Sequence, residues 1–386
     1  MSFFFLLFRR KMETKTALIV GVTGMLGLSL SEALKNPSAL GGPWEVYGVA
    51  RRSKPTWFNP SLLDHYLELD VLDSEATQRQ LSPLSNKITH IFWLLRKACE
   101  TEEENVVVNT KMVDNVLKVL VPSTLVSPKL SHFTLVTGTK QYLGPIFDPI
   151  LSVQAKPHEA PFVEDMPRLP FPNFYYALED LLASYSPKFT WSIHRSSIIL
   201  GASGRSAHNI LLKLVVYALI CKHEGSPFRF PGNKFMWEHF FDASDAKLLA
   251  DQLIWATSSH KAKGEAFNCT NGDIFTWKSF WKLLCEIVGV EFVPFDETDE
   301  YNWVEHMKGK YSVWDAIVEE NKLVEMKLEE FACFDACHVV LNMKIQHVCS
   351  MTKSREFGFD GFVDTFKSVR GWVEKLKEMN IIPKHL

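Results

Sequence analysis

The stretch "TALIVGVTGMLGLSLSEAL" (16–34) sets the strongest limit on what this chain can fold into. Residues 16–22 form a short, apolar, β-branched run ending in glycine, the pattern of a strand buried on both faces. Residues 25–34 follow with helical composition. Between them Gly21, Gly24 and Gly27 stand in GxxGxxG spacing. Glycine there permits a tight turn, close backbone approach to a pyrophosphate and close packing of helix on strand, and the helix N-terminus faces the negative charge. The strand–turn–helix context is the one in which this spacing reads as a dinucleotide cradle.

The chain repeats the alternation. "WEVYGVA" (44–50), "HYLELDV" (65–71), "THIFWLL" (89–95) and "HFTLVTG" (132–138) read as further strands, and "TWSIHRSSIILG" (190–201) contains a sixth. "ENVVVNTKMVDNVLKVLV" (104–121) repeats apolar residues at helical spacing. Alternating strands and helices predict an α/β fold with a doubly wound parallel sheet. The last third changes character. "SAHNILLKLVVYALICKH" (206–223) is a long apolar helix, and residues 264–289 give a strand, a turn at Asn271–Gly272 and a tryptophan-rich helix. Phe362, Phe366, Val369, Trp372, Val373, Leu376 and Met379 predict one face of a final amphipathic helix. The expected division is residues 1–14 as a disordered extension, 15–205 as the nucleotide-binding domain, and 206–386 as a mostly helical lobe that shares part of the sheet and covers the substrate.

Composition narrows the partners. A formal charge of −3 offers no basic field for nucleic acid. The seven cysteines are scattered and odd in number, which argues against a disulfide framework and for a reducing, cytoplasmic setting. "MSFFFLLFRRKM" holds a run of only six apolar residues, against the ~20 of a membrane span. Its basic pair follows the apolar run and no small-residue cleavage site is visible, so neither stable membrane insertion nor a signal peptide is expected. A membrane-surface anchor is the alternative to disorder, and Met12 is a second candidate start.

At the end of the second strand, where an NAD site commonly carries an acid, the chain has Arg51 and Arg52. Guanidinium forks match a 2′-phosphate, so NADPH is the expected cofactor. Asp70 and Val71 close the third strand, where an adenine would lie. "NFYYALED" (173–180) places Tyr175 and Tyr176 at a helix start, with Glu179 and Asp180 four residues on. A catalytic tyrosine on such folds usually has a lysine there. Lys140, in "LVTGTKQYLGP" (135–145), lies just beyond the fifth strand, where ligands bind in open parallel sheets. From the residues alone it is either that missing cation or a surface lysine.

Taken together, "GVTGMLG", "VYGVARR", "TGTKQYLGP", "EDMPRLPFPNFYYALEDLL", "WSIHR", "ICKHEG", "AFNCTNGDIFTWKSFWK" and "MTKSREFGFDGF" resemble the plant progesterone 5β-reductase and iridoid synthase family, over about residues 16–383. The resemblance implies an atypical short-chain reductase that uses NADPH to reduce the carbon–carbon double bond of enones and enals, with a steroid or monoterpenoid substrate. It implies Lys140 and Tyr175 as the catalytic pair, with Tyr176 a packing residue. It carries cofactor contacts onto Thr23, Gly24, Met25, Arg51, Arg52, Asp70, Val71, Ile199, Ser206, Ala207 and His208. Leu95, Val136 and Ser196 occupy cofactor-facing positions where the family has Ser or Thr, Gln and Pro. "FACFDACHVV" (331–340) replaces an aromatic-rich pocket wall. The spacing of Cys333, Cys337, His338, His347 and Cys349 is not that of a zinc site, so no metal is expected. These departures keep two alternatives open: a catalytically weak or silent NADP-binding relative, and a carbonyl (1,2) reductase. Monomer and homodimer are equally compatible with the sequence.

Overall fold

A computed structural model describes residues 14–124, 127–148, 150–298, 301–331 and 333–386. The expected extension before Lys15 falls almost wholly outside them. Seven strands form one parallel sheet: β1 (Lys15–Val20), β2 (Trp44–Ala50), β3 (His65–Glu68), β4 (His90–Trp93), β5 (His132–Gly138), β6 (Thr190–Ser196) and β7 (Glu265–Cys269). Their order is β7-β6-β5-β4-β1-β2-β3. The chain reverses direction across the sheet between β1 and β4, and at such a switch point the loops diverge and leave a crevice. The glycine turn after β1 lies there.

Helices cover both faces. On one, α1 (Met25–Lys35) packs with α6 (Ala246–Ser258) around Leu30, Leu34, Leu249 and Leu253. On the other, α2 (Ser74–Leu81), α3 (Glu102–Leu120) and α4 (Phe174–Ser184) bury Leu81, Val113, Leu117, Phe174 and Leu178. Thr101 caps α3 by accepting from the Glu104 N–H at 3.2 Å, and Asn173 caps α4 by accepting from the Tyr175 N–H at 3.0 Å.

The lobe after residue 205 has its own core, centred on α5 (Ile210–Glu224), every residue of which is buried from Ile210 to Cys221. A helix apolar on all sides needs neighbours on all sides. They come from α7 (Trp277–Val288), from Trp303 and Trp314, and from α8 (Thr365–Glu378). The lobe also supplies β7 and α6, so the sheet is completed by residues beyond the first 205. On α8 the residues Val369, Trp372, Val373 and Leu376 are buried as the periodicity predicts. Phe362 is not: it is 77% exposed and lies outside the helix. Asp364 caps the helix by accepting from the Lys367 N–H at 2.8 Å, so the helical period starts only at Thr365. Among the described residues no helix is long and apolar enough to cross a membrane.

Candidate active site

A cavity of about 600 Å³ opens at the C-terminal ends of β1, β2, β4, β5 and β6. Gly21 has φ +101°, a conformation that side chains rarely adopt, and brings its backbone against Leu94 and Leu95. A Cβ at Gly27 would stand 2.5 Å from the carbonyl oxygens of both Gly21 and Val22, so only glycine lets α1 sit this close to β1. Gly24 caps α1 without any side-chain hydrogen bond, and the first turn holds no acid. Its open N–H groups therefore suit a phosphate. Arg51 and Arg52 stand exposed after β2, and among the described residues neither meets a carboxylate. Arg205 reaches the same edge, donating to the Ser53 carbonyl. A phosphorylated ribose fits this chemistry.

Gly21, Thr23, Gly24, Met25, Gly27, Arg51, Arg52, Leu95, Val136, Lys140, Tyr175, Ile199, Ser206, Ala207 and His208 all line the cavity. Asp70 and Val71 do not, and Leu69 takes their place. Asp70 points back into its own turn, accepting from the Leu72 N–H at 3.0 Å, and Val71 is buried with its carbonyl held by the Asn115 side chain.

The short helical turn Lys140–Leu143 follows β5 directly. Two contacts stitch it to the start of α4. The Asn173 side-chain amide donates to the Lys140 carbonyl at 3.2 Å, and the Tyr176 hydroxyl donates to the Gln141 carbonyl at 2.9 Å. Tyr176 also accepts from the Leu169 N–H at 3.0 Å, so its hydroxyl is fully engaged in packing. Tyr175 faces the cavity. A Cβ at Gly138 would lie 3.3 Å from its hydroxyl, which places that hydroxyl over the end of β5. Among the described residues nothing hydrogen-bonds to it. Glu179 and Asp180 belong elsewhere: Glu179 pairs with Arg195 at 3.1 Å, and Asp180 with Arg168 at 2.9 Å.

Three features of this site were not anticipated. Glu102, 2% exposed, pairs with Lys140, 7% exposed. Its other oxygen accepts from the Phe174 N–H at 2.9 Å, so one carboxylate ties the lysine to the tyrosine helix. In sequence Glu102 heads a run of three acids after a helix cap, a pattern that helix-dipole complementarity already explains. Second, Arg96 faces the pocket and donates to His208 Nε2 at 2.8 Å. Burial pushes the Tyr175 pKa up, the positive charge of Arg96 opposes this, and Glu102 adds to it. Burial pushes Lys140 down while Glu102 resists, which leaves that pair with little net charge. Third, His347 Nε2 lies 2.8 Å from the Thr139 hydroxyl and its Nδ1 3.0 Å from Asp242, bracing the lysine turn from the helical lobe. Asp242 also accepts from the Cys349 N–H at 2.6 Å, and Cys337 lines the cavity. Among the described residues no three side chains converge as metal ligands.

The PRISE-like Rossmann-fold domain family matches residues 62–383. A 3-oxo-Δ4,5-steroid 5β-reductase of Arabidopsis thaliana is 48% identical over 370 residues, 95% of this chain and 93% of the relative. An (S)-8-oxocitronellyl enol synthase of Camptotheca acuminata is 46% identical over 371 residues, with the same two coverages, 95% and 93%. Among solved structures, the UDP-glucose 4-epimerase of Thermotoga maritima superposes with a TM-score of 0.63 at 14% identity, covering 94% of this chain and 99% of its own. The Bacillus cereus UDP-glucuronic acid 4-epimerase, in complex with NAD, gives 0.63 at 14%, covering 95% and 99%. At that identity the likeness speaks for the fold.

Proposed function

This chain belongs to the PRISE-like Rossmann-fold family, and on that footing we propose that it is an NADPH-dependent oxidoreductase that reduces the carbon–carbon double bond of an enone or enal by 1,4-addition. The observation that carries the reading is the unpartnered Tyr175 hydroxyl, set over the end of β5 in the cavity that holds the glycine cradle. The relatives' names fit the same chemistry. A 3-oxo-Δ4,5-steroid is an enone, and an enol is what an enolate becomes on protonation.

Bound NADPH supplies the hydride. The first turn of α1 would receive the pyrophosphate and Arg51 and Arg52 the 2′-phosphate, with Val136 and Ile199 as apolar lining of the same cavity. Lys140, held by Glu102, would orient the nicotinamide ribose. Negative charge develops on the substrate carbonyl oxygen, and the Tyr175 hydroxyl donates a hydrogen bond to it. With its pKa raised by burial, Tyr175 stays protonated at neutral pH and so remains a donor. The positive field of Arg96 favours the same developing charge.

Incubating the protein with NADPH and 2-cyclohexen-1-one and identifying the product tests this. Cyclohexanone is expected. Cyclohexenol would make it a carbonyl reductase. No product, with NADPH bound, would make it a silent relative.

A further inference from the structure

Among the described residues, the cavity is lined by seven Lys and Arg side chains and by no Asp or Glu. Most of that charge has a role already. Arg51, Arg52 and Arg205 stand together at the end of β2, and Glu102 neutralises Lys140 from behind the wall. Lys97 is exposed at the rim. Arg96 and Lys213 remain, with no carboxylate partner among the described residues. Lys213 is 0% exposed, and its ammonium donates to the carbonyls of Ala207 at 2.6 Å and Cys333 at 3.0 Å. A buried ammonium held by neutral carbonyls and the Cys337 thiol, with no carboxylate, is costly unless an anion joins it.

Adjacent residues bring the two cations together: the Ala207 carbonyl accepts from Lys213, and the His208 side chain meets Arg96. The His208 Nε2 accepts from Arg96 at 2.8 Å. Burial, with the charges of Arg96 and then Lys213, holds its pKa down at about 3. The imidazole is therefore neutral, and the cluster's positive charge rests on the two flanking groups. The same cavity is also walled by apolar Leu143, Ile146, Phe241, Val340 and Met343. The arrangement suits a molecule with an apolar body and one oxyanion.

We propose that Arg96 and Lys213, brought together by Ala207 and His208, form a carboxylate-binding subsite, so that the preferred substrate is an enone or enal bearing an acid group. This rests on the enone-reductase reading and names its substrate class. An oxyanion on the cofactor has the same chemistry, and the experiment separates the two sources.

The test uses the full chain with 6-oxohept-4-enoic acid and its methyl ester, which share the enone and differ only in charge. With saturating NADPH, kcat/KM for the acid should exceed that for the ester by at least about tenfold, the scale of one charge-assisted hydrogen bond. Lys213→Met and, separately, Arg96→Met should each bring that ratio down towards one. In titrations of the NADP⁺-bound protein, the acid should bind at least about tenfold tighter than the ester, and Lys213→Met should abolish the difference. This binding arm reads the subsite even if neither compound is turned over, an outcome that would count against the reductase reading alone. Equal binding of acid and ester by the unsubstituted protein overturns the subsite. So does a variant that weakens NADPH binding while the acid-to-ester ratio stays fixed, because the cations would then serve the cofactor's phosphates.

Discussion

The two ends of the cavity are built differently. The dinucleotide end is mostly backbone: a glycine turn of seven residues, Gly21 to Gly27, an open helix terminus, and two adjacent arginines after the next strand. The end proposed for reaction is mostly side chain, with Arg96 and Glu102, Lys140, Tyr175, and His208 and Lys213 arriving from four stretches of the sequence. A backbone site follows from local turn requirements. A convergent side-chain site follows from topology, and here it depends on one buried ion pair.

That dependence gives the largest expected effect. Glu102→Ala leaves Lys140 buried beside Phe174 without its partner. Breaking a buried pair this way costs about 3–5 kcal/mol. Urea unfolding should read that loss, and an unchanged midpoint would break the contrast between the two ends. Tyr175→Phe comes next. Losing one oxyanion donor lowers kcat by about 10²–10³, whereas NADPH affinity, set at the other end, should stay within about twofold. Equal turnover by parent and variant would remove Tyr175 from the chemistry.

Arg51→Ala with Arg52→Ala probes the backbone-dominated end. Hydrogen bonds to charged groups contribute about 1.5–3 kcal/mol, so NADPH affinity should fall by about 10–100-fold with little change for NADH. Comparable losses for both cofactors would show that these arginines do not read the 2′-phosphate.

Acid should act through buried histidines, of which His208 belongs to the side-chain end and the others to the sheet. His90 and His132 sit side by side at the start of β4 and β5, and His194 joins them through Ser192. Burial holds the pKa of His90 down to about 3 and that of His194 to about 4. The unfolded chain, with histidine near 6.5, binds more protons than the folded one below that pH. Stability is therefore full above pH 6.5 and falls as pH drops towards 4. From pH 6 to 5 these two histidines together remove about 2 kcal/mol. Thermal unfolding at the two pH values measures it, and a flat profile would show that the histidines charge within the fold. Tyr176→Phe is the smallest change. It frees the Leu169 N–H and the Gln141 carbonyl at a cost of about 1 kcal/mol, and turnover should hardly move. A collapse of activity would exchange the roles assigned to the two tyrosines.

How much of this was legible follows the same division. The parallel sheet, the glycine cradle, the Arg51–Arg52 pair and the Asn173 cap at the tyrosines are visible as written, because strand burial, tight turns and caps are decided within a few residues. The position of Lys140 beyond the fifth strand was visible too, but its role was chosen only through resemblance. Asp70 and Val71 could not be placed from sequence, since whether the end of β3 faces the crevice or its own turn depends on how Asn115 packs. Tertiary structure alone decided that Glu102, 38 positions before Lys140, would neutralise it, and that Arg96, bonded to His208 112 positions away, would line the same cavity as Tyr175. Electrostatic partnership depends on distance and burial, and both are fixed only when the sheet, α3, α4 and the helical lobe close around one cavity.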